Sequence, residues 1–254
     1  MMAAVFQRLA AGLLPLLCAG CATGVMPMKS VYIIRRAPAP PSLQGQWDEP
    51  AWRGANVLAV DHFAAGRGSN HRPRTQAKLT CTDAGLFVFF RVADCYVSIT
   101  RTNFQDAVYK DACVEFFVQP KPDKGYFNFE MNAGGALLLT YIEDASRTPD
   151  GFKKCTPLPP AADALVRRFH SLPRVVAPEA PGPVDWSVEY FIPFELLERY
   201  VGPLGNLSGQ TWRANFFKCA DDSSHPHWAS WAPLDADFAG GFHRPDRFAE
   251  IRFE

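Results

Sequence analysis

The densest group of side chains able to bind a metal or a polar ligand lies near the C-terminus. Two acids and two histidines fall within seven residues, and a tryptophan follows directly: Asp221, Asp222, His225, His227 and Trp228. Carboxylates and imidazoles are common ligands of Ca²⁺ and Zn²⁺. The same groups can form one wall of a site for a hydroxyl-rich ligand, with the indole covering an apolar face. A third interpretation is a loop held in place by tryptophan packing.

The cysteines argue against a zinc site. Five lie in the body of the chain, and none of these belongs to the Cys-x-x-Cys spacing typical of zinc sites: Cys81, Cys95, Cys113, Cys155 and Cys219. An odd, widely spaced set is also a poor disulfide framework. We predict buried free thiols on strands for most of them. We predict no required metal or cofactor, with a structural Ca²⁺ or Zn²⁺ at residues 221–228 as the alternative.

Two glutamates raise the question of acid–base chemistry, because Glu115 and Glu130 fall on consecutive predicted strands. A glycosidase needs two carboxylates about 5–10 Å apart across one bond. The sequence contains no Gly-x-Ser-x-Gly, no glycine-rich phosphate loop and no His-Glu-x-x-His. We therefore expect a non-catalytic protein, with a glycoside-acting enzyme that uses paired carboxylates as the alternative.

Composition excludes one large class of partners. The 254 residues carry 26 basic and 26 acidic side chains, so there is no basic field to bind nucleic acid. The sequence has 20 phenylalanines and 22 prolines but no long runs of Ala, Leu, Glu and Lys, which indicates short strands and irregular loops. A chain of this length suits one large all-β domain.

The N-terminal residues resemble a bacterial export signal. A single basic residue precedes the apolar residues 9–17, which are too few to span a bilayer stably. Residues 18–21, Cys-Ala-Gly-Cys, resemble a lipobox in which cysteine replaces the usual leucine. We expect lipid attachment at Cys21, a location in the cell envelope, and membrane contact only through this anchor. The alternative is translation from Met26 or Met28, which predicts a cytoplasmic protein.

Turn signals divide the remaining chain into strands. We predict a leader over residues 1–21, a proline-rich tether over 22–42 and one domain over 43–254. Alternating or continuous apolar runs predict strands at 75–82, 86–90, 113–118, 126–132, 136–142, 186–192, 212–217 and 248–253.

One short helix is predicted over residues 193–200, with Pro193 in its first turn and Gly202 just after its end. The proline-rich residues 143–184 predict a loop with one strand near 165–170. Short strands with frequent turn signals indicate an all-β fold. We predict a two-sheet antiparallel β-sandwich of jelly-roll or immunoglobulin-like type with one short helix.

The order of motifs from residue 43 to the C-terminus resembles the family 9 carbohydrate-binding modules. The two early tryptophans of the family pattern fall on Trp47 and Trp52, and its strand followed by Asp falls on 86–92 with Asp94. The aromatic residue and Asp before a Val-Glu-Phe strand fall on Tyr109, Asp111 and 114–116, and the strand ending in Asn falls on 126–132. The Trp-x-x-Glu with Ile-Pro falls on Trp186, Glu189 and 192–193, and the closing aromatic, Pro and Phe fall on Phe242, Pro245 and Phe248. Residues 212–231 resemble a bacterial branch of stand-alone sugar-binding members, often lipoproteins.

The resemblance implies where a sugar would bind. Tyr109 and Phe242 fall on the two aromatic positions between which the family grips its ligand, and where tryptophan is common. We expect both on loops, with little part in the core. Glu130 departs from the family pattern, because the modules can carry arginine there. The expected polar and loop contacts are Glu115, Asp94, Glu130, Asn132, Arg213, His227 and Trp228.

The function implied by the resemblance is non-catalytic binding of a mono- or oligosaccharide by a monomer that supports polysaccharide capture or degradation. A heme- or redox-binding sandwich is one alternative, and it would need axial histidine or methionine ligands on facing strands. The histidines fall mostly in predicted loops, which disfavours heme. A purely structural surface protein is the other alternative.

Overall fold

The described part of the chain begins at residue 31, since the computed structural model describes residues 31–254. The leader predicted over 1–21, including Cys21, lies outside the described residues. Within residues 31–254, no helix is long and apolar enough to cross a membrane.

The larger of the two main sheets has nine strands. Seven run side by side in the order β1 (Val31–Ile34), β16 (Ala249–Phe253), β14 (Thr211–Cys219), β7 (Cys113–Gln119), β8 (Tyr126–Asn132), β9 (Leu137–Thr148) and β10 (Gly151–Pro157). The pair β1 and β16 is parallel, and the other neighbours are antiparallel. Two short strands extend this sheet beside β14, namely β15 (Trp228–Ser230) and β3 (His62–Phe63).

The smaller main sheet has five antiparallel strands. Their order is β11 (Arg168–His170), β13 (Val184–Pro193), β5 (Gly85–Asp94), β4 (Arg74–Cys81) and β2 (Leu58–Ala59). A separate pair consists of β6 (Val97–Ile99) and β12 (Val176–Ala180). Helix α1 (Pro160–Leu165) precedes β11, and helix α2 (Phe194–Val201) follows β13. Short 3-10 turns lie at Pro50–Trp52, Val108–Lys110 and Pro245–Arg247.

The two main sheets pack face to face through a continuous apolar core. Successive side chains of a strand point to opposite faces of its sheet, so every second residue enters this core. The rings of Phe116 and Phe216 have centroids 4.7 Å apart. Phe90 of the smaller sheet lies 5.8 Å from Phe216. This architecture confirms the predicted all-β sandwich.

Two of the sequence-based boundaries are wrong. The tether predicted over 22–42 does not hold from residue 31 onward, because Val31–Ile34 form β1 and pair with β16. Within residues 143–184, predicted as a loop with one strand near 165–170, β11 confirms that strand, but the end of β9, all of β10, helix α1 and β12 are further elements. Residues 151–157 show no apolar alternation, so their sequence carries no strand signal. In the structure these residues of β10 are half-buried or exposed. Helix α1 is a second short helix beyond the one predicted.

A buried carboxyl group fastens residues 43–55 to the outer face of the smaller sheet. Glu189 on β13 is fully buried and accepts hydrogen bonds from Trp52 Nε1 and Gly45 N, each at 2.9 Å. Burial raises the pKa of Glu189, and these hydrogen bonds oppose the rise. The Trp52 ring packs on Phe89 with centroids 5.6 Å apart. The early tryptophan and the Trp-x-x-Glu motif therefore belong to one stabilising contact.

Replacing Trp52 by phenylalanine keeps the ring but removes the donor to Glu189. We expect Trp52→Phe to lower the free energy of unfolding by about 1–3 kcal/mol, because a buried acceptor loses its partner. Urea unfolding at an unchanged m-value measures this loss. Trp47→Phe is the matched control, because Trp47 packs on the same Phe89 at 4.9 Å and its indole N–H has no hydrogen-bond partner within residues 31–254. Equal losses in the two variants would contradict the assignment.

Candidate functional site

The face of the larger sheet that points away from the sandwich core carries a second set of buried side chains. Alternation places Glu115 and Phe117 on this face, whereas Phe116 enters the core. Glu130 of β8 and Phe217 of β14 are the cross-strand partners of Glu115. Aromatic residues of the segment after β15 cover this face: Phe238, Phe242 and Phe248. Polar side chains that reach this face are consequently buried.

A cavity of about 410 Å³ lies on this covered face. Its volume falls within the range of ligand pockets, about 300–1,000 Å³. Strand residues give it a polar floor: Glu115, Asn128, Glu130, Thr140 and Cys219. Loops and the β9–β10 hairpin add aromatic and charged side chains: Arg67, Tyr109, Arg147, Phe152, Asp221, Trp228, Phe238, Phe242 and His243.

A larger groove, of about 680 Å³, lies beside helix α2. Its charged side chains are already paired, since Arg36 binds Asp83 and Glu198 accepts a hydrogen bond from Leu204 N at 2.8 Å. The cavity on the larger sheet combines buried carboxyl groups with several aromatic rings. It is therefore the better candidate for a ligand site.

Two buried carboxyl groups lie side by side on the floor of the cavity. Glu115 and Glu130 are 2% and 4% exposed. Glu130 Oε1 accepts a hydrogen bond from Asn128 Nδ2 at 2.7 Å, and Glu130 Oε2 has no hydrogen-bond partner among the described residues. Burial raises the pKa of Glu130 to about 7. Burial and the adjacent Glu130 raise the pKa of Glu115 well above its ordinary value. The two carboxyl groups therefore stay protonated at pH values at which exposed glutamates are ionised.

Three half-buried aromatic rings line the sides of the cavity, namely Tyr109, Phe152 and Trp228. The guanidinium of Arg67 lies 4.2 Å from the Trp228 ring centroid, and that of Arg147 lies 4.0 Å from the Phe152 centroid. Cation–π contacts of this kind help to orient both partners. The cavity therefore offers flat apolar faces beside groups that donate hydrogen bonds.

Residues 221–228 contribute to the cavity but do not form a metal cluster. Trp228 Nε1 donates a hydrogen bond to Asp221 Oδ1 at 2.7 Å, and both residues line the cavity. Asp222 pairs with Arg101, and His225 stacks on Tyr96 with centroids 3.6 Å apart. The acids and histidines thus point to different partners, and among the described residues they do not converge as ligands. The structural metal considered at this segment is not supported.

The two aromatic residues expected to grip a ligand, Tyr109 and Phe242, line the same cavity. Their packing differs. Tyr109 is half-buried in the middle of the 3-10 turn before β7. Phe242 is only 9% exposed and stacks on Phe217 with centroids 4.2 Å apart and an interplanar angle of 13°. The expectation that Phe242 has little part in the core is therefore wrong, since its ring is packed against the sheet.

Asp94 and His227 lie in a different place, a buried polar network beside β14. Asp94 Oδ2 lies 3.4 Å from Lys218 Nζ, and Lys218 Nζ lies 2.8 Å from His227 Nε2. His71 Nε2 lies 2.7 Å from Asp94 Oδ1, and Trp186 Nε1 donates to Asp94 Oδ2 at 3.1 Å. Neither Asp94 nor His227 lines the cavity. The structure gives these two residues a stabilising role in the fold.

Asn132 and Arg213 also lie away from the cavity. Asn132 is fully buried, and its Nδ2 donates to Asp111 Oδ2 at 2.9 Å, while its Oδ1 accepts from the backbone of the turn after β8. The Arg213 guanidinium donates to Phe248 O and so holds the chain that enters the last strand. The hydrogen bonds of both side chains therefore stabilise the fold.

Sequence reasoning did not identify Arg67, Arg147 and Phe152 as cavity residues. Arg147 and Phe152 lie on the β9–β10 hairpin, where the sequence predicted a loop. Arg67 lies in a loop that meets the cavity only through the folding of the chain, and its own sequence neighbourhood carries no signal for this position. A cation followed five residues later by an aromatic residue, as in Arg147 and Phe152, becomes informative only once the hairpin register is known.

The fold is a β-sandwich with a covered cavity on the outer face of its larger sheet. The model of carbohydrate-binding family 9 matches residues 56–253, which is most of the chain. The protein therefore belongs to carbohydrate-binding family 9, as its motifs indicated. No curated protein matches the chain.

Several solved structures share the fold of this chain. A "putative carbohydrate-binding protein" from Bacteroides uniformis ATCC 8492 is 25% identical, with a TM-score of 0.76, covering 89% of this chain and 100% of that chain. A family 9 module from Caldicellulosiruptor kristjanssonii in complex with cellotriose is 15% identical, with a TM-score of 0.54, covering 89% of this chain and 94% of that chain. A family 9 module from Caldicellulosiruptor kristjanssonii in complex with glucose is also 15% identical, with a TM-score of 0.54, covering 87% of this chain and 95% of that chain. The latter two share the fold with this protein.

The buried carboxyl of Glu130 predicts a specific pH dependence of stability. Its pKa is raised from 4.5 to about 7 in the folded protein, so the folded state keeps a proton that the unfolded state loses between these values. The contribution of Glu130 to the free energy of unfolding is fully present below pH 4.5 and is lost as the pH rises to about 7. We expect the melting temperature of Glu130→Gln to fall less than that of the unmodified protein across this window.

Scanning calorimetry over the same pH range measures this difference. Glu195→Gln is the control, because Glu195 is exposed on helix α2. Its curve should run parallel to that of the unmodified protein. A Glu130→Gln curve that also runs parallel would show that Glu130 ionises as an ordinary glutamate.

Proposed function

We propose that the protein binds a mono- or oligosaccharide, without chemical change, in the cavity on the outer face of the larger sheet. The observation that carries this proposal is the Glu130 carboxyl group, whose Oε2 is buried without a hydrogen-bond partner in a cavity lined by aromatic rings. A buried polar atom without a partner is costly. A ligand hydroxyl placed against it would remove that cost.

The chemistry of the cavity matches a pyranose ring. Sugars present C–H bonds on their faces and hydroxyl groups at their edges, so flat aromatic rings suit the faces and charged or amide groups suit the edges. Tyr109, Phe152 and Trp228 supply the rings, and Arg67 and Arg147 supply donors. The complexes of the related family 9 module with cellotriose and glucose support the same class of ligand.

Binding is favoured over hydrolysis by the position of the two glutamates. A glycosidase places its carboxyl groups on either side of the scissile bond. Glu115 and Glu130 are cross-strand partners that project from one face of one sheet. They would therefore meet a ligand from the same side. We propose accordingly that the protein holds its ligand without cleaving it. From the family to which it belongs, we further propose that it is a monomer that supports polysaccharide capture or degradation.

Variants of the cavity rings test the binding site. We expect Tyr109→Ala and Phe152→Ala each to weaken sugar binding about tenfold or more, which corresponds to about 1.4 kcal/mol. Nucleic-acid bases that stack on aromatic side chains contribute roughly 1–3 kcal/mol each, and we take the same scale for a sugar face. Isothermal titration calorimetry with the best ligand from a glycan array gives the affinities. Trp47→Ala is the control, because Trp47 packs against the smaller sheet.

The outcomes separate a binding role from a packing role. Binding that is lost in both cavity variants, while Trp47→Ala retains full affinity, supports the proposal. Full affinity in a folded Tyr109→Ala, Phe152→Ala double variant would place the site elsewhere. The absence of binding to every glycan on the array would contradict sugar binding itself.

We also propose that the protein is attached to the cell envelope through a lipid on Cys21. The basis is the order of a basic residue, an apolar run and the Cys-Ala-Gly-Cys sequence. Expression of the full chain in a bacterial host should give a mature protein that begins at Cys21 and carries acyl mass. Cys21→Ser should abolish that mass, whereas Cys18→Ser should keep it. An unacylated product that starts at Met26 or Met28 would contradict the proposal.

A further inference from the structure

Two cysteines and a glutamate meet at the floor of the cavity, where Cys219 and Glu115 line the cavity and Cys113 lies beside them. Cys113 on β7 and Cys219 on β14 are direct cross-strand partners. Glu115 lies two residues after Cys113, so alternation places it on the same face. The three side chains are 0%, 1% and 2% exposed in the order Cys113, Cys219 and Glu115. The register between β7 and β14 brings Cys219 to the other two side chains.

The distances suit a shared cation. The Sγ atoms of Cys113 and Cys219 and a carboxylate oxygen of Glu115 all lie within 4.8 Å of one another. A tetrahedral zinc ion with sulfur ligands at about 2.3 Å holds two such sulfurs about 4 Å apart. Cys219 Sγ donates a hydrogen bond to Glu115 Oε1 at 3.2 Å. A thiol proton therefore occupies the space between two groups that could both bind a metal.

A second feature of the floor is a buried carboxylate oxygen without a partner. Glu130, the cross-strand partner of Glu115, has an Oε2 that is buried without a hydrogen-bond partner among the described residues. A cation at this position would stabilise the ionised form of both carboxyl groups.

We propose that Cys113, Cys219 and Glu115 bind a thiophilic divalent cation of the zinc class at the floor of the cavity, with a fourth coordination position facing the space that Glu130 also lines. Two thiolates and one carboxylate form a ligand set that prefers zinc or cobalt over calcium or magnesium. The open position resembles the arrangement of metal sites that exchange a fourth ligand.

Metal binding at this site is a proton exchange without oxidation or reduction. Each thiol releases its proton as a metal–sulfur bond forms, and a protonated Glu115 releases one as it becomes a ligand. The released protons pass to the buffer. Affinity should consequently increase as the pH is raised and decrease as it is lowered.

Cobalt(II) is a direct probe, because thiolate ligands give it a charge-transfer absorption in the near ultraviolet. The sample is the full chain with Cys18→Ser and Cys21→Ser, so that no leader thiol contributes. We expect one Co²⁺ per chain, the sulfur band, and displacement of Co²⁺ by Zn²⁺. The titration is made without sugar, so its result is independent of the proposed carbohydrate binding.

Cysteine variants locate the site. Cys113→Ser and Cys219→Ser should each weaken Co²⁺ binding and reduce the band, because each variant keeps only one of the two sulfur ligands. Glu115→Gln should weaken Co²⁺ binding while the full band persists at saturation. If these buried substitutions prevent folding, a variant that replaces the other cysteines tests the site instead. A chain with Cys81→Ser, Cys95→Ser and Cys155→Ser retains only Cys113 and Cys219 within the described residues, and it should keep the full band.

Several results would overturn the proposal. One is the absence of a sulfur band in the folded, reduced protein at a pH above neutrality. Another is loss of the band in the chain that retains only Cys113 and Cys219. A third is a thiol count showing that these two cysteines form a disulfide in protein purified without reductant, because sulfur in that state does not bind the metal.

Discussion

The structure depends on the fact that the central strands of the larger sheet are buried on both faces. In β7, β8 and β14, neighbouring residues separate into the sandwich core and the covered outer face. Phe116 enters the core, whereas Glu115 reaches the cavity. A shift of one residue in the register would place carboxyl groups in the core and phenylalanines at the site. Core packing and site geometry are therefore fixed together.

The protein stabilises its buried charges in two different ways. Burial alone would raise the pKa of Asp94, but Lys218 and His71 hold it well below its ordinary value. This carboxylate is thus ionised and paired within the fold. Glu115 and Glu130 have no comparable buried cation among their described contacts, and their pKa values are raised. An arrangement that is unfavourable in the isolated fold is typical of a site that binds a ligand.

Much of the fold could be predicted from the sequence, because most strands carry their own apolar pattern. The run that became β5 is apolar on both faces, and β8 alternates fully. Helix α2 is marked by Pro193 and by Gly202, whose φ of 74° ends it. β10 was missed, because it is an edge strand of half-buried and exposed residues that is fixed by pairing with β9. Local pattern does not encode pairing partners.

The sequence by itself determined the family, the sandwich and the presence of Tyr109, Glu115, Glu130, Trp228 and Phe242 in motifs that a sugar site would use. Only the tertiary structure decided which of the expected residues share one cavity. It placed Asp94 and His227 around Lys218, engaged Asn132 and Arg213 in turns and backbone contacts, and brought Phe152, Arg67 and Arg147 to the cavity. The physical reason is that residue type and alternation fix which face of a strand a side chain occupies, whereas strand register and loop packing fix its neighbours.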